Sequence, residues 1–68
     1  MQVDSVEQLS QKVKALRRKM NWSQEELARN IGVSLSSVQR WELRYFKPSR
    51  LAMRELNKLF KKAEISNG

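Results

Sequence analysis

Apolar residues recur at helical spacing over the first part of the chain. The positions that fall on one face are Val6, Leu9, Val13, Leu16 and Met20. Because neighbours in this series are three or four residues apart, a helix would bury them together. Ser5 and Gln8 are predicted to form a capping box before it, with Asp4 as a competing cap. The pattern predicts a helix from Val6 to Met20, ended by Asn21, which tolerates left-handed backbone.

A second helix begins with the clearest capping signal in the chain. Ser23 and Glu26 are three residues apart, so each side chain can bind the other residue's backbone N–H. The residues on the buried face of this helix are Leu27, Ala28 and Ile31. Gly32 follows, where a left-handed turn that a side chain would oppose can end the helix.

The third predicted helix is preceded by Ser34, which can cap it, and runs to about Leu43. Val38 and Trp41 are three residues apart and are predicted to face inward. The outward residues are Leu35, Ser36, Gln39 and Arg40. Trp41 could instead serve as a stacking platform for single strands, but its spacing from Val38 favours the core.

The rest of the chain contains a loop and one more helix. Residues 44–48 form the loop, and Pro48 disfavours helix at the residue before it, so the next helix should start near Ser49. Its predicted buried residues are Met53, Leu56, Leu59 and Phe60. No segment shows the alternation of a strand. We expect a single all-α domain, residues 1–68, with an ordered core over about residues 5–62 and a tail at 63–68.

The second and third helices are joined by the short turn Gly32–Ser34. Two short helices joined by a glycine-containing turn are the signature of a helix-turn-helix motif. Because the turn is too short for antiparallel packing, the helices must cross steeply. Ala28 is predicted to fill the position of close approach between them.

The composition excludes several kinds of chemistry. The chain has no cysteine and no histidine, which removes the usual zinc sites and the Ser-His or Cys-His nucleophile pairs. No apolar run approaches the roughly 20 residues of a membrane span. We therefore expect a soluble, cytoplasmic protein without a cofactor, a metal, a membrane partner or a small-molecule substrate, and not an enzyme.

The charge balance points to a polyanionic partner. Fourteen Lys and Arg residues stand against seven Asp and Glu residues, a net charge of +7. Such an excess repels itself in a compact fold, and a nucleic acid would neutralise it. The alternative is a basic protein whose charge only keeps it soluble.

The stretch from Leu16 to Leu59 resembles the helix-turn-helix family of phage repressors and Cro proteins, also called the lambda-repressor-like or XRE family. The segments that carry the resemblance are Ser23–Ala28, Ile31–Ser34, Val38–Glu42 and Lys47–Ser49. The resemblance implies a compact bundle of four or five helices and a transcriptional regulator that binds DNA as a dimer. The chain departs from the family at Asn21 and Arg44, where glycine is frequent.

The resemblance also implies roles for individual residues. The residues placed nearest the bases are Ser34, Leu35, Ser36 and Arg40, with Gln39 close by. Arg40 has the chemistry for a bidentate contact with guanine. Leu35 could touch a thymine methyl group or be plain surface.

Other residues are expected to contact phosphates: Gln24, Ser37, Arg44, Tyr45, Lys47 and Arg50. Gln24 lies at a helix N-terminus, which attracts anions, although it could be only a first-turn residue of the capping box. In this family the residue at Glu42 pairs with the arginine at Arg17, so an ion pair is implied there. The alternative is a solvated glutamate.

Sequence-specific binding of double-stranded DNA by a transcriptional regulator, with residues 35–43 in the major groove, is the leading hypothesis. The alternative is a protein-interaction module on the same fold, such as an antitoxin or accessory component. Such a module would show more apolar residues on the outward face of the third helix, where only Leu35 is apolar. Binding of RNA or single strands is disfavoured without an aromatic surface stripe. A homodimer is possible, with the last helix and Ile65 as its best surface.

Overall fold

The computed structural model describes residues 6–65 and contains four helices within them. Their bounds are α1 Val6–Met20, α2 Gln24–Ile31, α3 Leu35–Glu42 and α4 Arg50–Lys62. The prediction of an all-helical bundle with a helix-turn-helix motif is confirmed, with four helices rather than five and no strand in the described part. The predicted caps Ser5 and Asp4 lie outside the described residues. None of these helices has the length and apolarity to cross a bilayer.

Serine begins the last three helices. Ser23, Ser34 and Ser49 have extended backbone, and each side chain accepts a hydrogen bond from the N–H three residues later. At Ser23 the box is complete, because the Glu26 carboxylate accepts from the Ser23 N–H at 2.7 Å. These bonds satisfy N–H groups that a helix start leaves without partners. The local sequence therefore determines where α2, α3 and α4 begin.

All four helices end in a left-handed residue: Asn21 (φ 59°), Gly32 (φ 91°), Arg44 (φ 67°) and Glu64 (φ 59°). The N–H after each of them donates to the carbonyl five residues back, as from Trp22 to Arg17 at 2.8 Å. This is the hydrogen bond of a Schellman motif. Asn21 ends α1 as predicted. Arg44 adopts a conformation that glycine takes freely and other residues take at some cost in backbone strain.

The core lies where the four helices meet. Its buried apolar residues are Leu9, Val13, Leu16, Leu27, Ala28, Ile31, Val38, Trp41, Ala52, Leu56, Phe60 and Ala63. Trp22 and Val33 pack against its edge. Ala28, which the shortness of the turn predicts at the close approach of α2 and α3, is buried.

The structure differs from the sequence prediction in the burial of the last helix and in the place where the predicted tail begins. Met53 and Leu59 are only partly buried, because α4 is turned so that the small residues Ala52 and Ala63 face the core. Ala63 is therefore not part of a tail. The left-handed turn at Glu64 also brings Ile65 back onto the core, where its N–H donates to the Phe60 carbonyl at 2.8 Å. Residues 66–68 lie outside the described part.

Gly32→Ala is expected to lower the free energy of unfolding by about 1–2 kcal/mol. The cause is backbone strain alone, because φ is +91° and no atom lies within 4 Å of the added Cβ. Gly32→Asn should cost less, since asparagine tolerates this conformation. Chemical denaturation of the wild-type chain and the two variants measures the order of their free energies of unfolding. Equal stability of the wild-type chain and Gly32→Ala would contradict this account of the turn.

Candidate nucleic-acid interface

Helix α3 has one buried side and one open side. Val38 is fully buried and Trp41 is 4% exposed. On the opposite side Ser36, Gln39 and Arg40 are exposed. Trp41 therefore belongs to the core and offers no stacking surface. The open side is short, polar and cationic.

Three serine hydroxyls cluster at the start of α3. Ser34 Oγ accepts from the Ser37 N–H at 3.3 Å. It also lies 3.0 Å from Ser36 Oγ and 3.1 Å from Ser37 Oγ. Because hydroxyl groups both donate and accept, the cluster can reorient its hydrogens toward a phosphate or a base edge.

Leu35 sits beside this cluster and is 39% exposed. Its side chain is therefore available to a thymine methyl group, but it is also partly covered. The two interpretations of Leu35, a base contact or plain surface, both fit this position.

The Glu42 carboxylate, at the end of α3, is 5% exposed and accepts three hydrogen bonds. Arg17 donates two of them, from Nε at 2.6 Å and Nη2 at 2.9 Å. Gln24 Nε2 donates the third at 3.0 Å. The ion pair that the resemblance implies is thus present in the structure. Hydrogen bonds to Glu42 raise the pKa of Arg17 above its ordinary value, although partial burial acts in the opposite direction.

These contacts join three helices at one carboxylate. Arg17 lies on α1, Gln24 on α2 and Glu42 on α3. Ser10 on α1 adds a further bond, donating from Oγ to the Glu42 carbonyl at 2.7 Å. The orientation of α3, and of the residues on its open side, therefore depends on this cluster, which we call the Glu42 network.

Gln24 has a structural use that sequence reasoning missed. Its side-chain amide donates to Glu42, and a contact of the Gln24 backbone N–H with a phosphate would leave that bond in place. Nothing in the periodicity of the chain links Gln24 to Glu42. The only sequence signal was chemical. A buried carboxylate can accept more hydrogen bonds than the two that one arginine donates, so a further donor is to be expected beside it.

The loop between α3 and α4 and the first residue of α4 carry the remaining predicted phosphate contacts. Arg44 Nη1 lies 3.6 Å from the Glu7 carboxylate on α1, and both side chains are exposed. Tyr45, Lys47 and Arg50 are also exposed. Such an exposed ion pair is weak and is screened by salt, so Arg44 can leave Glu7 at little cost.

Two surface clefts bring predicted site residues together. Ser37, Arg40 and Lys47 line one cleft between α3, the loop and the start of α4, and Phe46 shares it. Gln24 and Gln39 line the other cleft, together with Lys14. Sequence reasoning singled out neither Lys14 nor Phe46, because each meets its neighbours only in the folded chain.

A model of the helix-turn-helix family matches residues 13–64. The chain belongs to this family, the lambda-repressor-like or XRE kind of helix-turn-helix domain. It is thereby a helix-turn-helix domain of the DNA-binding, regulatory class in general. Comparisons with curated proteins and with solved structures gave no match.

The match includes both positions at which this helix-turn-helix chain lacks the frequent glycine. Asn21 and Arg44 both take left-handed backbone, a conformation that glycine adopts without strain. Arg44 places a guanidinium beside the end of α3, where glycine has no side chain. The departure at Arg44 therefore adds a cation next to α3.

Arg17→Met is expected to lower the free energy of unfolding by about 3 kcal/mol. The Glu42 carboxylate would stay buried with the Gln24 side chain as its only remaining side-chain donor of the network. Adding Glu42→Gln to this variant should restore part of the loss, because a neutral amide is less costly to bury than a carboxylate. Urea denaturation of the single and double variants measures both effects.

Lys58→Met is the matched control for this experiment. Lys58 pairs with Glu55 at 3.4 Å on the exposed side of α4, and such pairs contribute about 0–1 kcal/mol. If Arg17→Met and Lys58→Met destabilised the chain equally, the Glu42 network would not hold the helices together.

Proposed function

We propose that this chain is a transcriptional regulator that binds double-stranded DNA sequence-specifically, with α3 in the major groove. The observation that carries the proposal is the two-sidedness of α3, which buries Trp41 and leaves Arg40 open to solvent. A helix fits the width of the major groove, where base pairs present distinct donor and acceptor patterns. The net charge of +7 favours the approach to a polyanion.

The base contacts in this proposal come from the open side of α3: Ser34, Leu35, Ser36, Gln39 and Arg40. Arg40 is assigned to guanine, since a guanidinium can donate to O6 and N7 together. The serine hydroxyls are less selective because they can donate or accept. Discrimination between sequences therefore rests mainly on Arg40, with Gln39 and Leu35 as further readers.

The phosphate contacts surround this side: Gln24, Ser37, Arg44, Tyr45, Lys47 and Arg50. They come from the start of α2, the start of α3, the loop before α4 and the first residue of α4. Contacts of this kind fix the register of a protein on the duplex without reading its sequence. Lys47 shares a cleft with Arg40. This position suits a contact of Lys47 with a phosphate next to the base that Arg40 reads.

A homodimer on DNA and a cytoplasmic location belong to the same proposal. A symmetric dimer would contact two half-sites about 34 Å apart. Leu59 and Ile65, which pack on the core but keep part of their surface open, support the last helix as the dimer surface. Selection of binders from a random duplex pool identifies the preferred DNA sequence. Sizing of the selected complex then gives the number of chains bound to it.

One observation favours the alternative of a protein-interaction module. Large apolar side chains are exposed after α3, at Leu43, Tyr45 and Phe46, and at Leu51 in the first turn of α4. An antitoxin or accessory component would use such residues against a partner protein. Failure of the purified chain to bind any duplex at low salt would favour this alternative over DNA binding.

Arg40→Ala is expected to cost roughly 1–3 kcal/mol on the selected duplex and to relax the preference at one base pair. The reason is the loss of the bidentate contact, while the phosphate contacts stay in place. Fluorescence anisotropy with the selected duplex and with single-base variants of it measures both effects. Equal loss on selected and scrambled duplexes would show that Arg40 does not read a base.

Lys47→Ala is expected to weaken binding to all duplexes alike and to reduce the slope of log K against log salt by about one. The reason is that a phosphate contact releases a counterion whatever the base sequence. Lys62→Ala removes the same charge at the far end of α4 and serves as the control, with little change expected. A loss confined to the selected duplex would rule out a positioning role for Lys47.

A further inference from the structure

Phe46 is a large aromatic side chain that contributes little to the core. It lies in the loop after α3 and is 57% exposed. Its ring centre is 5.4 Å from Arg40 Cζ, within the range of a cation–π contact. The side chain proposed to read a base is thus in contact with an exposed aromatic ring from another segment.

The backbone holds Phe46 in this place from both sides. The Tyr45 N–H donates to the carbonyl of Arg40 itself at 3.0 Å, which ties the loop to the same residue that the ring contacts. This bond depends on the left-handed turn at Arg44. After Phe46, the chain is anchored by Pro48, which is buried. The backbone at Phe46 therefore has a defined position relative to α3.

Arg40 gains order from this contact and has no carboxylate partner within residues 6–65. A free arginine side chain must lose rotamer freedom when it binds. Contact with a ring restricts that freedom before binding. A guanidinium has five N–H donors, so a ring on one side of it leaves donors available for O6 and N7 of a guanine.

We propose that Phe46 is a positioning residue that orders the Arg40 guanidinium for base reading and thereby sets sequence preference at one base pair. This inference rests on the proposed function, because it concerns how the proposed reader is presented to DNA. Phe46 contributes through Arg40 and not through a contact of its own with a sugar or a thymine methyl group. Ordering of Arg40 and direct contact with DNA predict different effects of a Phe46 substitution in a chain that lacks Arg40.

The experiment uses the full chain, the duplex that the wild-type chain selects from a random pool, and single-base variants of that duplex. Phe46→Leu keeps an apolar side chain but removes the ring. It is expected to reduce discrimination at the Arg40-dependent base pair by about 2–5-fold, the range for an exposed cation–π contact. Phe46→Tyr keeps the ring and should retain discrimination. Leu51→Ala, at a residue that is 71% exposed, is the control and should change nothing.

The decisive comparison repeats Phe46→Leu in the Arg40→Ala chain. No additional loss of discrimination is expected in that chain, because the residue that Phe46 orders is missing. An equal loss in both backgrounds would show that Phe46 touches DNA itself and would overturn the inference. Unchanged discrimination in Phe46→Leu would overturn it as well.

A DNA-free measurement separates this inference from the proposed function. Side-chain protons of Arg40 that lie over the ring should show upfield NMR shifts, and Phe46→Leu should abolish them. Persistence of these shifts in Phe46→Leu would overturn the inference, whatever the chain does with DNA. If the wild-type chain selected no duplex, the proposed function would fall, while the NMR result would still report on the Arg40–Phe46 contact.

Discussion

The orientation of α3 depends on the carboxylate of Glu42. A buried charge is costly unless donors surround it, and here Arg17 and Gln24 provide three hydrogen bonds from two other helices. Helix α3 has eight residues, which is too short for a helix to be stable by itself in water. Its stability and its direction therefore come from what it packs against. Burial of Trp41 supplies the apolar part, and the Glu42 network supplies the directional part.

The Glu42 network and the contacts on the open side of α3 differ in their exposure to solvent. The residues of the Glu42 network are buried or partly buried, so they are shielded from salt and from competing water. The contact of Arg40 with Phe46 lies at the surface and is weaker. A rigid scaffold thus carries side chains that can still adjust to a duplex. Rigid elements that present adjustable polar groups are a common way to place a binding site.

The left-handed helix ends set the path between the helices. Only Gly32 among them is free of a side-chain penalty, whereas Asn21, Arg44 and Glu64 adopt the same backbone with one. At Arg44 the strain has a structural result, because the turn returns the chain so that Tyr45 bonds to Arg40. The loop is then placed beside the open side of α3, where Lys47 and Phe46 share the cleft.

The sequence by itself determined the features that depend on neighbours along the chain. The bounds of α1 and α2, the serine caps and the inward face of Val38 and Trp41 follow from spacing and capping, which act within a few residues. Family resemblance added the pairing of Arg17 with Glu42. The site residues themselves remain proposals drawn from that resemblance and from the chemistry of each side chain.

Only the tertiary structure decided the contacts between residues that are distant in sequence. The side chain of Gln24 turns to Glu42, and Phe46 meets Arg40. The buried face of α4 includes Ala52 and Ala63 but not the whole of Met53. Each of these depends on how one segment is rotated against another. Periodicity defines an apolar face only to within about one residue position around the helix, and it carries no information on which polar groups meet once the faces are joined.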